Sequence, residues 1–282
     1  MKNQTVTSCS IGGLHHLSYS DWGDQDNPHV LVCAHGLTRN KHDFDLLASR
    51  LAPQRRVICF DLPGRGNSDW LTNKLAYDYN QYVIDAMIIL SRIGVKQVDW
   101  LGTSMGGILG LLISASNKTP IKRLILNDVG PLIPKQALVR IADYVGQQPS
   151  FDNTNQLEKY MREIYADFGN LSNEQWQHIL KYGQRQLDNG RFTLNYDPDI
   201  SQAFNKKPQE DVNLWPIWQS IKQPTLIIRG EHSDLLSSTT VEEMLQSNTK
   251  AQQVVIPDAG HAPALMSENE FNIIDQWLNS TH

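Results

Sequence analysis

Short apolar runs recur along the chain, each followed by a glycine-bearing turn and then by a pattern of helical period. Residues 30–34 form the first strong run, followed by His35-Gly36-Leu37 and a helical pattern over 41–51. The run at 56–62 leads into Asp61-Leu62-Pro63-Gly64-Arg65-Gly66, and an amphipathic helix is predicted over 79–93, where Tyr82, Val83, Ala86, Met87, Ile89, Leu90 and Ile93 keep close to a 3.6-residue period. Residues 97–101 read as a strand entering Gly102 and a helix over 104–116, and 121–126 as another strand, ending at Asn127-Asp128. Runs this apolar predict strands covered on both faces, as in parallel sheets. Their alternation with helices predicts right-handed crossovers and an α/β, doubly wound sheet. The stretch 14–22 reads as an antiparallel hairpin at the sheet edge.

After Asp128 the rhythm stops. Residues 130–223 carry helical patterns at 135–145, 154–168 and 173–187 and no strand signal. Strand-like runs resume at 225–228 and 253–256, and a last helix is predicted over 268–278. A crossover between parallel strands needs only about 10–15 residues. The pattern therefore predicts a core domain from 1–130 and 217–282, with 131–216 inserted as a helical cap lying over the sheet.

Composition narrows the picture by exclusion. Hydrophobic residues make up 40% of the 282, charged residues 20%, and the formal net charge is −5, with no clustered basic face of the kind nucleic acid requires. No run approaches the roughly 18 apolar residues of a membrane span, and no apolar segment follows Lys2 near the start, so a cytoplasmic location is expected. Cys9, Cys33 and Cys59 are odd in number and follow no metal or disulfide spacing. Cys33 and Cys59 lie in apolar runs and are expected to be small buried hydrophobes in a reducing compartment.

The chemistry-bearing positions fall in the turns after the strands, which gather at one edge of a parallel sheet. Gly102-Thr103-Ser104-Met105-Gly106 fits G-x-S-x-G between a strand and a helix, where small residues flank a strained nucleophile. A serine hydroxyl needs a base, and the base needs an orienting carboxylate. His261, in Asp258-Ala259-Gly260-His261, follows the last strand and is the expected base. His15, His16, His29 and His282 fall outside the post-strand turns, His178 sits on an insertion helix, and His42 begins a helix near the site. Two carboxylates contend for the third position. Asp234 is preferred because its loop precedes the histidine-bearing strand, whereas Asp128, followed by Val129-Gly130-Pro131, reads as the turn that opens the insertion. Glu231 and His232 are expected on the surface of the Asp234 loop. The backbone N–H groups of Met105 and Leu37 are the expected oxyanion donors, with Gly36 supplying the turn and His35 bracing it.

These motifs, in the order His35-Gly36, Asp61 to Ser68, the serine turn, Asp234 and Gly260-His261, resemble the α/β-hydrolase family over nearly the whole chain. The resemblance implies an eight-stranded, mostly parallel sheet with a helical cap after the sixth strand. It also implies a packing role, without catalysis, for the Asp61 to Ser68 turn. Serine in place of aspartate at position 104 excludes the epoxide-hydrolase and haloalkane-dehalogenase pattern. The first loop lacks the Ser-Gly-x-Gly of C–C bond hydrolases, and no Trp-Gly-Gly surrounds Ser104 as in proline iminopeptidases. The expectation is a serine carboxylesterase acting on small or medium acyl esters, with C–C hydrolase, lactonase, perhydrolase or ligand receptor as alternatives on the same scaffold. Neither metal nor organic cofactor is expected. The expected partner is a small-molecule ester, with neither nucleic acid nor membrane, the chain being monomer or homodimer. Gly36, Leu37, Met105, Ala262 and Leu265 are expected to wall the substrate pocket, and Tyr144, Phe151, Tyr160, Tyr165, Phe168, Trp176 and Tyr182 of the insertion either join them or pack.

Overall fold

The computed structural model describes residues 1–204 and 210–280; Thr281, His282 and residues 205–209 of the inserted stretch lie outside it. The chain opens with β1 (Lys2–Ser10) and β2 (Gly13–Trp22), an antiparallel hairpin. It continues through β3 (Val30–Ala34), α1 (Asp45–Leu51), β4 (Arg56–Phe60), α2 (Tyr79–Ile93), β5 (Val98–Thr103), α3 (Met105–Ser114) and β6 (Ile121–Asn127). The predicted helix over 41–51 begins as a 3₁₀ turn at Lys41–Phe44, capped by Asn40, before α1 takes over. Helix α2 lies where the period predicted it, started by the Asp78 side chain accepting from Gln81 N–H and stopped by Gly94 at φ 72°.

Between β6 and the next sheet strand the chain forms α4 (Lys135–Tyr144), α5 (Thr154–Ile164), α6 (Asn173–Gly183) and α7 (Trp215–Ser220). The expectation of no strands here is corrected. Leu132–Ile133 (β7) pairs antiparallel with Val212–Asn213 (β10), and Gln184–Gln186 (β8) with Phe192–Leu194 (β9). Pairs this short bury too few side chains to leave an alternating pattern in the sequence. The chain then returns through β11 (Thr225–Gly230), α8 (Ser238–Ser247), β12 (Ala251–Ile256) and α9 (Glu268–Asn279). The sheet order is β1-β2-β4-β3-β5-β6-β11-β12, eight strands, with β1 and β2 antiparallel and the rest parallel.

The alternation of side chains on each strand divides the core into two layers. Val30, Val32 and Ala34 of β3, with Ile58 and Phe60 of β4, pack beneath α2, α3 and the insertion. Leu31, Cys33, Val57 and Cys59 face the opposite layer, against α1 and α9. Cys33 and Cys59 are buried free thiols, and burial pushes the Cys59 thiol well above its ordinary range. No described helix is long and apolar enough to cross a membrane.

One charged pair ties strand β2 to the segments that follow β3 and β4. Lys41 Nζ donates to Asp61 Oδ2 at 2.7 Å and to Ser18 Oγ at 3.0 Å, while Asp61 Oδ1 accepts from Lys41 N–H at 2.7 Å. Both side chains are fully buried. Removing one member strands the other charge in the core, so Lys41→Ala should cost about 3–5 kcal/mol in urea denaturation. A loss below about 1 kcal/mol would show that water already reaches this pair.

Candidate active site

The turn from β5 into α3 is completed within one residue. Ser104 takes φ 51° and ψ −114°, and its N–H donates to Asn127 O on β6 at 2.9 Å. Such a backbone leaves no room on either side. A Cβ at Gly102 would overlap the Gly106 carbonyl, and one at Gly106 would overlap the carbonyl of Ala34 on β3. The two glycines thus let helix, turn and neighbouring strand approach closely enough to hold Ser104 at the strained φ. Its Oγ lies 2.8 Å from His261 Nε2, across 157 positions of sequence.

His261 Nδ1 lies 2.7 Å from Oδ2 of Asp128, and here the structure corrects the preferred carboxylate. Asp128 closes β6 at φ 57°, with its side chain fully buried. Its Oδ1 accepts from Gly230 N–H at 2.7 Å, and its Oδ2 also accepts from Ser233 Oγ–H at 2.6 Å. Asp234 instead lies on the surface, held in a two-pronged pair by Arg140 at 2.8 and 2.9 Å. The cause is local. Strand β11 runs on to Gly230, and the turn closed by Ser233 N–H donating to Gly230 O at 3.0 Å sends Ser233 inward and Asp234 outward. Glu231 and His232 are exposed, as expected. Sequence reading missed Ser233, since a lone serine in a polar loop carries no signal that it faces a buried carboxylate. With Asp128 Oδ2 accepting from His261 Nδ1–H, Nε2 is left to accept from the Ser104 hydroxyl.

Leu37 and Met105 both line the cavity that opens at Ser104. Met105 heads α3, where an N–H has no acceptor within the helix. Leu37 lies in a turn closed by Arg39 N–H donating to Gly36 O at 3.2 Å, a bond that does not use Leu37 N–H. His35 braces this turn: Nδ1–H donates to Gly36 O at 2.7 Å, and Nε2 accepts from Leu62 N–H at 3.0 Å. That pattern fixes the neutral tautomer, and burial lowers the His35 pKa to about 4. Arg39 lies over the rings of Tyr165 and Phe168 at 4.7 and 5.6 Å, joining the turn to the insertion. Burial opposes its charge, yet the neighbouring Asp43 carboxylate holds its pKa above the usual arginine range. His42 pairs with Asp45 at 2.7 Å and stacks on Tyr182, so it braces the insertion and stays outside the hydrogen-bonded chain at Ser104.

Two chambers meet at Leu37, Ser104 and Ile141. The smaller, about 80 Å³, is walled by Gly36, Ala262 and Met266 and by Tyr144, Tyr165 and Phe168 of the insertion. The larger, about 740 Å³, is mainly apolar, with Met105, Ile108, Val129, Leu138 and Leu214 among its walls. Its aromatic side is Tyr77 and Tyr79, which precede or open α2, and no insertion aromatic lines it among the described residues. Phe151 and Tyr160 pack on each other, and Trp176 is buried beside Arg162. Leu265 corrects the expected pocket wall: at 1% exposure it sits in the core layer with Phe271 and Ile274. Among the described residues, Glu231, His232 and Asp258 bring possible metal-ligand atoms within 4.8 Å of one another, all on exposed side chains outside both chamber walls.

Comparison with known proteins agrees with this fold. A family model described as alpha/beta hydrolase fold matches residues 29–266. The chain is 40% identical over 282 aligned residues to a 3-hydroxybutyrate-oligomer hydrolase of Cupriavidus necator, covering 97% of this chain and 96% of that one. It is 24% identical to a 2-(acetamidomethylene)succinate hydrolase of Mesorhizobium japonicum, over 82% and 81% of the two chains. The solved structure of a putative hydrolase from Rickettsia typhi superposes with a TM-score of 0.94 at 35% identity, each chain covered fully.

The neutral His35 has a pH consequence. Below pH 6.5 the unfolded chain takes up a proton that the folded chain refuses until about pH 4, so stability present above pH 6.5 is lost as pH falls through that window. The loss from this residue should be about 3 kcal/mol, and His35→Gln should flatten that part of the urea-denaturation profile. Equal slopes for the two proteins would place the titration elsewhere.

Proposed function

The chain belongs to the α/β-hydrolase family, and on that footing we propose that it is a serine hydrolase cleaving carboxylic esters through an acyl-enzyme on Ser104. The observation that carries the reading is the continuous hydrogen-bonded chain from Ser104 through His261 to the buried Asp128. His261 Nε2 takes the Ser104 proton as Oγ attacks the ester carbonyl, and the developing oxyanion is met by Met105 and Leu37 N–H. Collapse of the tetrahedral species expels the alcohol, which leaves with the proton from His261. A water, deprotonated by the same imidazole, then releases the acid. Asp128 holds the tautomer and stabilises the imidazolium throughout.

The proposed substrate class is an ester of a medium-length acyl chain, with oligomeric hydroxyalkanoate esters first among candidates. Two observations support it: the apolar chamber of about 740 Å³ opening at Ser104, and the likeness to a protein named for hydrolysing 3-hydroxybutyrate oligomers. Nucleophile, base and oxyanion donors are all drawn from the chain itself.

Ser104→Ala should abolish fluorophosphonate labelling and turnover of p-nitrophenyl butyrate and of linear 3-hydroxybutyrate dimer and trimer, with an unchanged circular dichroism spectrum. Asp128→Asn should lower kcat about 10⁴-fold by stabilising the wrong imidazole tautomer. Asp234→Asn, which breaks only a surface pair, should stay within about threefold of wild type. The reverse ranking would reinstate Asp234 as the orienting acid, and dienone cleavage without ester turnover would replace the esterase reading with C–C hydrolysis.

A further inference from the structure

The Asp61 to Ser68 turn holds a side chain that the proposed chemistry has not used. Arg65 is fully buried, and four contacts account for its guanidinium. Nε donates to Leu37 O at 2.9 Å, Nη1 donates to Pro63 O at 2.7 Å and to Tyr82 Oη at 2.8 Å, and Nη2 reaches Met105 Sδ at 3.8 Å. The rings of Tyr82 and Tyr77 lie 5.0 and 5.8 Å from Cζ. Among the described residues no carboxylate pairs with it, whereas the nearby buried Lys41 has Asp61 at 2.7 Å. A buried cation without a counter-ion is costly in the resting protein.

The two residues that accept hydrogen bonds from this guanidinium outside its own turn and α2 are Leu37, through its carbonyl, and Met105, through its sulfur, the two expected oxyanion donors. During acyl transfer a negative charge appears between their N–H groups, and that charge is what the resting site lacks. We infer that Arg65 is a positioning residue for acyl transfer, which fixes the Leu37 and Met105 donors relative to each other and places an uncompensated positive charge behind them. The inference rests on the serine-hydrolase reading given above.

The turn is held so that the side chain can do this. Gly64 N–H donates to Asp69 O at 2.8 Å, and the insertion straps the same turn from outside: Gly66 N–H donates to Asn195 O at 3.3 Å and Asp197 N–H to Gly64 O at 2.7 Å. The charge is thereby fixed before the reaction begins, which is the condition under which a buried dipole or ion lowers a barrier without reorganisation. A contact made only to the transition state lowers kcat and kcat/KM together when removed, leaving KM unchanged.

The test uses the full chain with p-nitrophenyl butyrate, the second-order rate of fluorophosphonate labelling at Ser104, and the affinity for a trifluoromethyl ketone that forms a tetrahedral adduct. Arg65→Met should lower kcat about 10- to 100-fold with KM within about threefold, and weaken the ketone in parallel. Arg65→Lys keeps the charge but cannot span Leu37, Pro63 and Tyr82, and should fall about three- to tenfold below wild type. If Arg65→Met does not fold, Arg65→Lys carries the test: unchanged kcat and ketone affinity there overturn the role, as does an Arg65→Met protein of lower melting temperature with full kcat. A rise in KM alone also overturns it. Wild-type protein that Ser104-directed fluorophosphonate fails to label would overturn the underlying reading and this one together. A labelled wild type beside a fully active Arg65→Met would overturn only the role of Arg65.

Discussion

At Gly106 the first turn of α3 presses onto the end of β3 so closely that any side chain there would meet the Ala34 carbonyl. The same helix presses back on Gly102 at the end of β5. This three-way backbone contact sets the direction of α3 and the left-handed φ of Ser104, and through them the place where every other functional group must arrive. His261 comes from the end of β12, Asp128 from β6, and the Leu37 turn from β3. The sheet order puts the C-terminal ends of these strands side by side, so residues far apart in sequence converge on one serine without long excursions of chain.

The polar groups beneath the site obey a common rule, that a buried donor or acceptor must find a partner. His35 meets it by staying neutral and using both ring nitrogens. Asp61 meets it with a lysine and backbone N–H groups, and Asp128 with a histidine, a serine and the N–H of Gly230. These networks fix the loops after β3, β4, β6 and β11, which would otherwise be the softest parts of the fold.

Much of this was legible in the chain. Apolar runs covered on both faces located β3 to β6, and the helical period located α2, because those patterns follow from burial. Ser104 and His261 were legible because turn glycines and strand ends constrain them. The carboxylate partner of His261 was not, since Asp128 and Asp234 both follow strands that are neighbours in the sheet, and which of them faces the histidine turns on how the loop is rotated at Ser233. Hydropathy does not encode which way a polar loop faces. Leu265 was misplaced for a related reason: proximity to His261 in sequence does not tell the core side of a turn from the cleft side.

The paired ends of the insertion have a wider consequence. Leu132–Ile133 meets Val212–Asn213 soon after the chain leaves β6 and shortly before it re-enters the sheet, so entry and exit are joined at a single point. The chain between is joined covalently to the sheet only through this closed neck, and the sheet bears the same span whatever length the loop above it has. The entropic cost of lengthening such a loop grows only with the logarithm of its length. The neck therefore makes the region above Ser104 a replaceable module: helices and chamber walls can be rebuilt while Ser104, His261 and Asp128 keep their places, so long as the Asn195 and Asp197 straps on the Gly64 to Gly66 turn are kept.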